Sequence, residues 1–359
     1  MGLPEILIDF KRKASSVINR SAMGIVALIL KDDTGTFNAK EYAPSDTINA
    51  SDWTPENKDY IEKALLGSPN KVIVERIATT ATDYNEALTR LINKRWNYLA
   101  IPGIEAIETS VIATWIEARR DTNKKTFKAV LPNEAADHEG IVNFTTTNIV
   151  VGEKTYSTAE YTSRIAGALA GLPFTRSATY LVLPEVTSIT EHEDPDIDID
   201  SGELILVNDG TSIKIGRGVN SLVTIPTNAT SGTIEKTEDF KKIKVVEIMD
   251  MIQVDITDTF NQNYVGKVPN TYDNQVLFFN SVNTYFDTLE DDELLDPSYD
   301  NRSEVDVVAQ RAAWEESGVD TSSLSDQEIK EMSFKSNVFA GGNIKIVDAM
   351  EDLGFQIYM

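Results

Sequence analysis

Apolar and polar residues alternate at both ends of the chain. At the front, Ile6, Ile8 and Phe10 fall on one side of an extended segment, Leu7 and Asp9 fall on the other, and Lys11-Arg12-Lys13 closes it. At the back, Ile344 and Ile346 share one face, and Phe355, Ile357 and Met359 form a second run after Gly354. The longest apolar run, Ala22 to Leu30, reads as a buried strand and is followed by a turn at Lys31-Asp32-Asp33-Thr34-Gly35. Residues 38–58 are polar and irregular.

From about 59 to 185 the pattern switches repeatedly between the two periods. It predicts a short helix from Asp59 to Leu66, a strand from Lys71 to Ile77, and a helix capped by Thr82 or Asp83 that runs through Lys94. Trp96 to Ile101 is a strand. Glu105 to Thr122 is a helix, with Ile107, Val111, Trp115 and Ile116 as its apolar stripe. Phe127 to Leu131 is a strand, and Ile141 to Val151 gives one or two more. Ser157 with Glu160 makes a capping box for a helix that ends before Pro173. Strands and helices in alternation predict a mostly parallel sheet with helices on its faces.

Past Pro184 the elements shorten. Asn208-Asp209-Gly210 between two alternating runs predicts a hairpin. Thr237 is placed as the cap of a helix from Glu238 to about Phe260, and a second helix spans Asn270 to Leu289. Residues 291–330 are acidic and loop-like apart from a helix around Val305 to Ser317. The fold class is therefore an α/β part joined to an α+β C-terminal part.

The 359 residues carry 33 Lys plus Arg against 57 Asp plus Glu, a net charge of −24. A nucleic-acid partner needs a basic footprint, and an anionic membrane surface needs basic clusters, so neither is expected. With no cysteine there are no disulfides, no thiolate catalysis and no cysteine-ligated metal. The start of the chain lacks the basic-then-apolar layout of a signal peptide, and no apolar run approaches the roughly 20 residues of a membrane span.

Motifs for chemistry are sparse. His138 and His192 lie in no HExxH pattern and read as surface residues. Gly216-Arg217-Gly218 lacks the third glycine and the downstream acid of a dinucleotide site and reads as a tight turn. Asp196, Asp198 and Asp200 suggest a calcium loop, but Ser201 and Val207 stand where that loop needs glycine and glutamate. The acidic run is read as a solvated edge. No cofactor, metal or catalytic residue is expected. Lys241, Lys242 and Lys244 form the one basic cluster in the C-terminal half, either an exposed helix face or a contact for an acidic partner.

A terminal strand exposes a row of unpaired backbone groups. It either folds back on its own domain or templates pairing with another chain. Both ends have a hinge behind them, Lys11 to Asn19 at the front and Phe339-Ala340-Gly341-Gly342 at the back. On pattern alone both outcomes remain open, as do an α/β enzyme and a non-contractile capsid or surface-layer subunit.

Several stretches, in order, resemble the contractile phage tail sheath family, particularly the shorter sheaths of Gram-positive phages and phage-tail-like bacteriocins. They are Leu3 to Phe10, Met23-Gly24-Ile25-Val26-Ala27, Tyr161 to Thr179 with Ala166-Gly167-Ala168-Leu169-Ala170-Gly171 and Ser177-Ala178-Thr179, Ile215 to Leu222, and Ile344 to Met359. The resemblance implies a structural subunit and not an enzyme. It implies an N-terminal arm at 1–22, a strand and loop at 23–58 packing on the C-terminal domain, an outer α/β domain at 59–185, a tube-proximal α+β domain at 186–342, and a C-terminal arm at 343–359. Ile6, Leu7, Ile8, Phe10, Ile344, Ile346, Phe355 and Ile357 would make the inter-subunit contacts, and Lys241, Lys242 and Lys244 could face the tube. The implied partners are neighbouring copies in stacked rings, an inner tube protein, and baseplate and tail terminator proteins. The implied location is the bacterial cytoplasm during assembly, then a virion tail or a released particle.

Overall fold

The run Ile25 to Leu30 has no polar side to offer water, so it needs cover on both faces. In the computed structural model, which describes residue 18 and residues 23–225 and 236–358, that cover is a sheet with helices on each side. β1 (Ile25–Lys31) sends Val26, Leu28 and Leu30 into one core and Ile25, Ala27 and Ile29 into the other. The described residues form two compact units: 23–225 and 236–251 with 348–358, and 252–347 with residue 18.

In the first unit β1 is followed by β2 (Ala39–Tyr42), α1 (Pro55–Leu65), β3 (Lys71–Ile77), α2 (Asn85–Leu91), β4 (Tyr98–Ala100), α3 (Ala106–Asp121), β5 (Lys128–Pro132) and β6 (Ile141–Phe144). Then come the hairpin β7 (Ile149–Val151) and β8 (Lys154–Tyr156), α4 (Thr158–Ala170), α5 (Pro195–Asp200), β9 (Glu203–Leu204), and the hairpin β10 (Leu206–Asn208) and β11 (Ile213–Ile215). The main sheet has the order β2-β3-β1-β4-β5-β6-β9. All its pairings are parallel except β2 with β3. The expected mixed fold with a mostly parallel sheet is what forms.

Local signals held where they were chemical. Ser157 and Glu160 form the capping box of α4, and the turn after Asn208 joins β10 to β11. The small residues of α4 let it press against α1: a Cβ on Gly167 would fall on the Ala64 carbonyl oxygen, and one on Gly171 on the Gly67 carbonyl oxygen. The glycines of the family-like stretch are therefore packing residues.

Other expectations shift. On α3 the buried face is Thr109, Ile112, Ala113 and Ile116, while Ile107 and Val111 face solvent. The acidic run read as a solvated edge forms α5, because Asp194 caps it by accepting from the Ile197 amide. Segment 23–58 was expected against the C-terminal part, yet it supplies β1 at the sheet centre and β2 at its edge. Segment 186–222 likewise joins the first unit through β9 beside β6. A strand's own pattern specifies that it must be buried and leaves its partner open.

The long helix α6 (Ile243–Asn263) starts later than its Thr237 cap predicts. Residues Glu238–Lys241 make a 3-10 turn, and Lys242 is extended. Lys242 bridges antiparallel to Val219, and the Ile243 amide donates to the Gly218 carbonyl, so pairing with the 218–220 segment overrides helix there. The first turns of α6 are fixed by a buried ion cluster. Asp250 accepts from both Arg120 terminal nitrogens, at 3.0 and 3.1 Å, and from Lys128 of β5, whose ammonium also lies 3.3 Å from Glu247.

The second unit contains α7 (Tyr272–Asp291), β12 (Arg302–Val305), α8 (Val307–Glu316), α9 (Asp326–Glu331) and β13 (Ala340–Asn343). Phe278 of α7 packs edge-on against Phe260 and Tyr264, and the Tyr285 hydroxyl donates to Asp255 at 2.7 Å. β12 and β13 pair antiparallel within the chain, so the expected glycine hinge Gly341-Gly342 is part of a ladder.

Candidate functional site: the seat of the C-terminal segment

Three separated stretches meet at the last residues of the first unit. After α4 the chain turns through Ser177-Ala178-Thr179, with Ala178 buried. The Thr179 amide donates to Ser177 Oγ at 3.1 Å and the Gly218 amide to Thr179 Oγ1 at 2.9 Å. Each hydroxyl thus has a backbone donor on its oxygen, which leaves its own proton to point outward. Both protons go to one atom, Glu351 Oε1, at 2.8 Å from Ser177 and 2.6 Å from Thr179. A side chain at position 218 would crowd Ala178 and Ser177, so glycine permits the approach.

Arg217 supplies the charge. Its guanidinium donates to Asp352 Oδ1 at 2.7 Å and lies 3.8 Å from Glu351 Oε2. The Asp352 carboxylate holds the Arg217 guanidinium above its ordinary value, against a smaller opposing effect of burial. Lys242 donates to Asp348. Burial works against the charge of Lys242, but the Asp348 carboxylate outweighs it and the ammonium stays above its ordinary value. Segment 348–352 is therefore an acidic stretch lying on a basic and hydroxyl-rich seat. Among the described residues, no backbone–backbone hydrogen bond beyond Val347 ties it down.

Of the expected arm residues, Ile6, Leu7, Ile8 and Phe10 lie outside the described residues. Ile344 and Ile346 are half-buried in the second unit, where Ile346 bridges Leu295 and the Val347 amide donates to the Leu294 carbonyl at 2.9 Å. Phe355 and Ile357 stand 75% and 74% exposed, with Leu353 and Tyr358 exposed beside them. The lysine cluster divides. Lys241 pairs with Glu238 at 2.7 Å, Lys242 meets the chain's own Asp348, and Lys244 is buried, its charge disfavoured first by desolvation.

The histidines differ from their surface reading. His138 is buried and its Nδ1 accepts from the Gly140 amide at 2.9 Å, while Nε2 lies 3.4 Å from Asp121. His192 sets Nδ1 2.7 Å from Asp198 and Nε2 3.0 Å from Thr146 Oγ1. Asp121 and Glu139 around the first, and Asp198 and Glu203 around the second, could be grouped as metal ligands. Each ring nitrogen already faces a protein partner, and Glu139 is engaged by Lys236 at 2.7 Å, so neither group is assigned a metal. The seat itself was missed in the sequence. Its signal was present as complementary chemistry, Ser-x-Thr and Gly-Arg-Gly against Asp-x-x-Glu-Asp, but nothing local ties those stretches together.

The fold is shared with sheath proteins of contractile systems. A sheath tail protein from Desulfitobacterium hafniense superposes with a TM-score of 0.69 at 16% identity, covering 84% of this chain and 94% of that one. The contracted helical sheath of the anti-feeding prophage superposes with a TM-score of 0.69 at 11% identity, covering 100% and 99%. Residues 78–221 match the phage tail sheath protein central domain, and residues 235–359 match the phage tail sheath C-terminal domain. The tail sheath protein of Clostridium phage phiCD119 is 38% identical over 368 positions, covering 100% of this chain and 99% of the relative. This chain belongs to the phage tail sheath protein family.

Proposed function

We propose that this chain is the structural subunit of a contractile tail sheath, which polymerises around an inner tube and contracts to drive that tube through a target cell envelope. The observation that carries the reading is the end-to-end correspondence with a phage tail sheath protein. The subunit is made and assembled in the bacterial cytoplasm and ends in a virion tail or a released particle. Its partners are neighbouring copies, the tube, the baseplate and the tail terminator.

Copies are joined through the chain ends. The seat at Ser177, Thr179, Arg217 and Lys242 anchors 348–352, and the exposed residues beyond it, with Phe355 and Ile357, pair with a neighbour. Residues 3–10 play the same part at the front. Each ladder hydrogen bond contributes on the order of 1 kcal/mol net, so a few per strand plus the buried apolar side chains hold copies together firmly. Ile344 and Ile346 fix the base of the arm within its own subunit. A head-to-tail contact whose rotation does not close yields a helical filament. Contraction then changes contacts between bodies while the arm ladders persist. A tube contact by the lysine cluster would have to compete with Glu238 at Lys241 and with Asp348 at Lys242.

The test is electron microscopy of the purified protein beside two variants, one lacking 353–358 and one with Ile6→Pro. Hollow striated tubes from the wild type and folded, dispersed subunits from both variants are expected. Normal sheaths from either variant would overturn the role of that arm. Shells or flat lattices from the wild type would overturn the sheath.

A further inference from the structure

The main sheet reverses its winding beside β1. The next parallel strand in sequence, β3, lies on one side of β1, and β4 lies on the other. Such a reversal opens a crevice at the carboxyl ends of the two diverging strands, the usual ligand position in doubly wound sheets. Here the crevice is a cleft of about 510 Å³ between the end of β1 and the loop after β4. That volume falls in the range of small-molecule sites.

The lining decides what could enter. In nucleotide-binding sheets the helix N-termini at this point take phosphate. In this chain they are filled by the protein's own acids: Glu56 stands in the first turn of α1, and Glu160 closes the capping box of α4 by accepting from the Ser157 amide at 2.6 Å. Both carboxylates converge on one group. The hydroxyl of the buried Tyr60 lies 3.0 Å from Glu56 Oε1 and 3.1 Å from Glu160 Oε1. It has one proton to donate, so one of these carboxylate oxygens faces a hydroxyl oxygen with no proton between. An N–H donor bearing positive charge would satisfy both. A second wall already shows this chemistry, since the Lys31 ammonium sits 5.1 Å from the centre of the Tyr84 ring. The Lys154 ammonium, 5.1 Å from the centre of the Tyr60 ring, is paired with Asp59 at 2.8 Å, so the two carboxylates and one ammonium of the lining leave a single negative charge to balance.

The geometry points to a binding site for a singly charged organic cation, a guanidinium or ammonium group, between Glu56 and Glu160 at the switch point of the sheet. The group could arrive on a free small molecule or on a basic side chain of a second copy.

Nα-acetyl-arginine amide and n-butylammonium, titrated into the full-length protein by calorimetry and protein-observed NMR, test the site. Saturable binding is expected, with shifts at Tyr60 and Tyr84. Affinity should fall about tenfold in Glu56→Gln, which removes one charge-assisted contact from an exposed first-turn residue, and stay unchanged in Glu62→Gln outside the cleft. Absence of saturable binding, equal affinity in Glu56→Gln, or displacement by inorganic phosphate would overturn the proposal. If the cations bind, their effect on assembly separates the sources: blocked polymerisation assigns the group to a second copy, and unaffected polymerisation to a free molecule.

Discussion

Thr179 and Glu351 lie 172 positions apart in sequence, yet the threonine hydroxyl donates to the glutamate carboxylate at 2.6 Å. The bond joins the body of the first unit to the last residues of the chain. Because the segment beyond Val347 relies on side-chain contacts, its hold on the body is electrostatic and should be adjustable.

Glu351→Gln should loosen the C-terminal segment while leaving the fold intact. The chain has no cysteine, so Phe355→Cys gives a unique labelling site on the exposed tail. Fluorescence anisotropy of that label should drop in Glu351→Gln, with a loss on the order of 1–2 kcal/mol in seating. Raising salt to about 1 M, where screening acts within about 3 Å, should produce part of the same drop. Unchanged anisotropy would show that the seat does not hold the tail.

Gly167→Ala should destabilise the first unit by about 3 kcal/mol, because the added Cβ meets the Ala64 carbonyl across the α1–α4 contact. Chemical denaturation checks it. A midpoint within error of wild type would mean that the two helices can move apart freely.

Asp250→Ala should cost about 3–5 kcal/mol, since it strands the buried Lys128 and Arg120 charges. Thermal unfolding reads the loss. Replacing both Lys128 and Asp250 by apolar residues of similar size should restore part of it, which a lost packing contact alone would not.

Acid should weaken the first unit through Asp32. Burial opposes ionisation of this carboxyl, but donors from the Asn57 side chain and the Thr54 and Thr34 amides prevail and lower it from 3.8 to about 2. A depressed carboxyl binds its proton more weakly when folded. Its stabilisation is therefore complete above 3.8 and drains as pH falls through about 2. The contribution is about 2 kcal/mol at neutral pH, and Asp32→Asn should flatten that part of the acid limb of the stability curve.

The sequence by itself determined the elements whose signals are local. The capping box of α4, the β10–β11 turn, the apolar run of β1 and the α/β alternation all depend on neighbours a few residues away, and they appear as expected. It also carried the family resemblance, which depends on the order of stretches and not on their contacts. Tertiary structure alone decided where those elements went. The sequence showed that β1 must be buried but not that β3 and β4 flank it, because an all-apolar strand fits any covered sheet. The pattern put Ile107, Val111, Trp115 and Ile116 inside, and packing kept Ile116 buried and Trp115 against the core but left Ile107 and Val111 to solvent. Helix signals began α6 at Glu238, and pairing of Lys242 with Val219 moved the start. The seat was invisible for the same reason. Ser177, Thr179, Arg217 and Glu351 have no local relation, and only the folded chain brings two hydroxyls and a guanidinium onto one carboxylate.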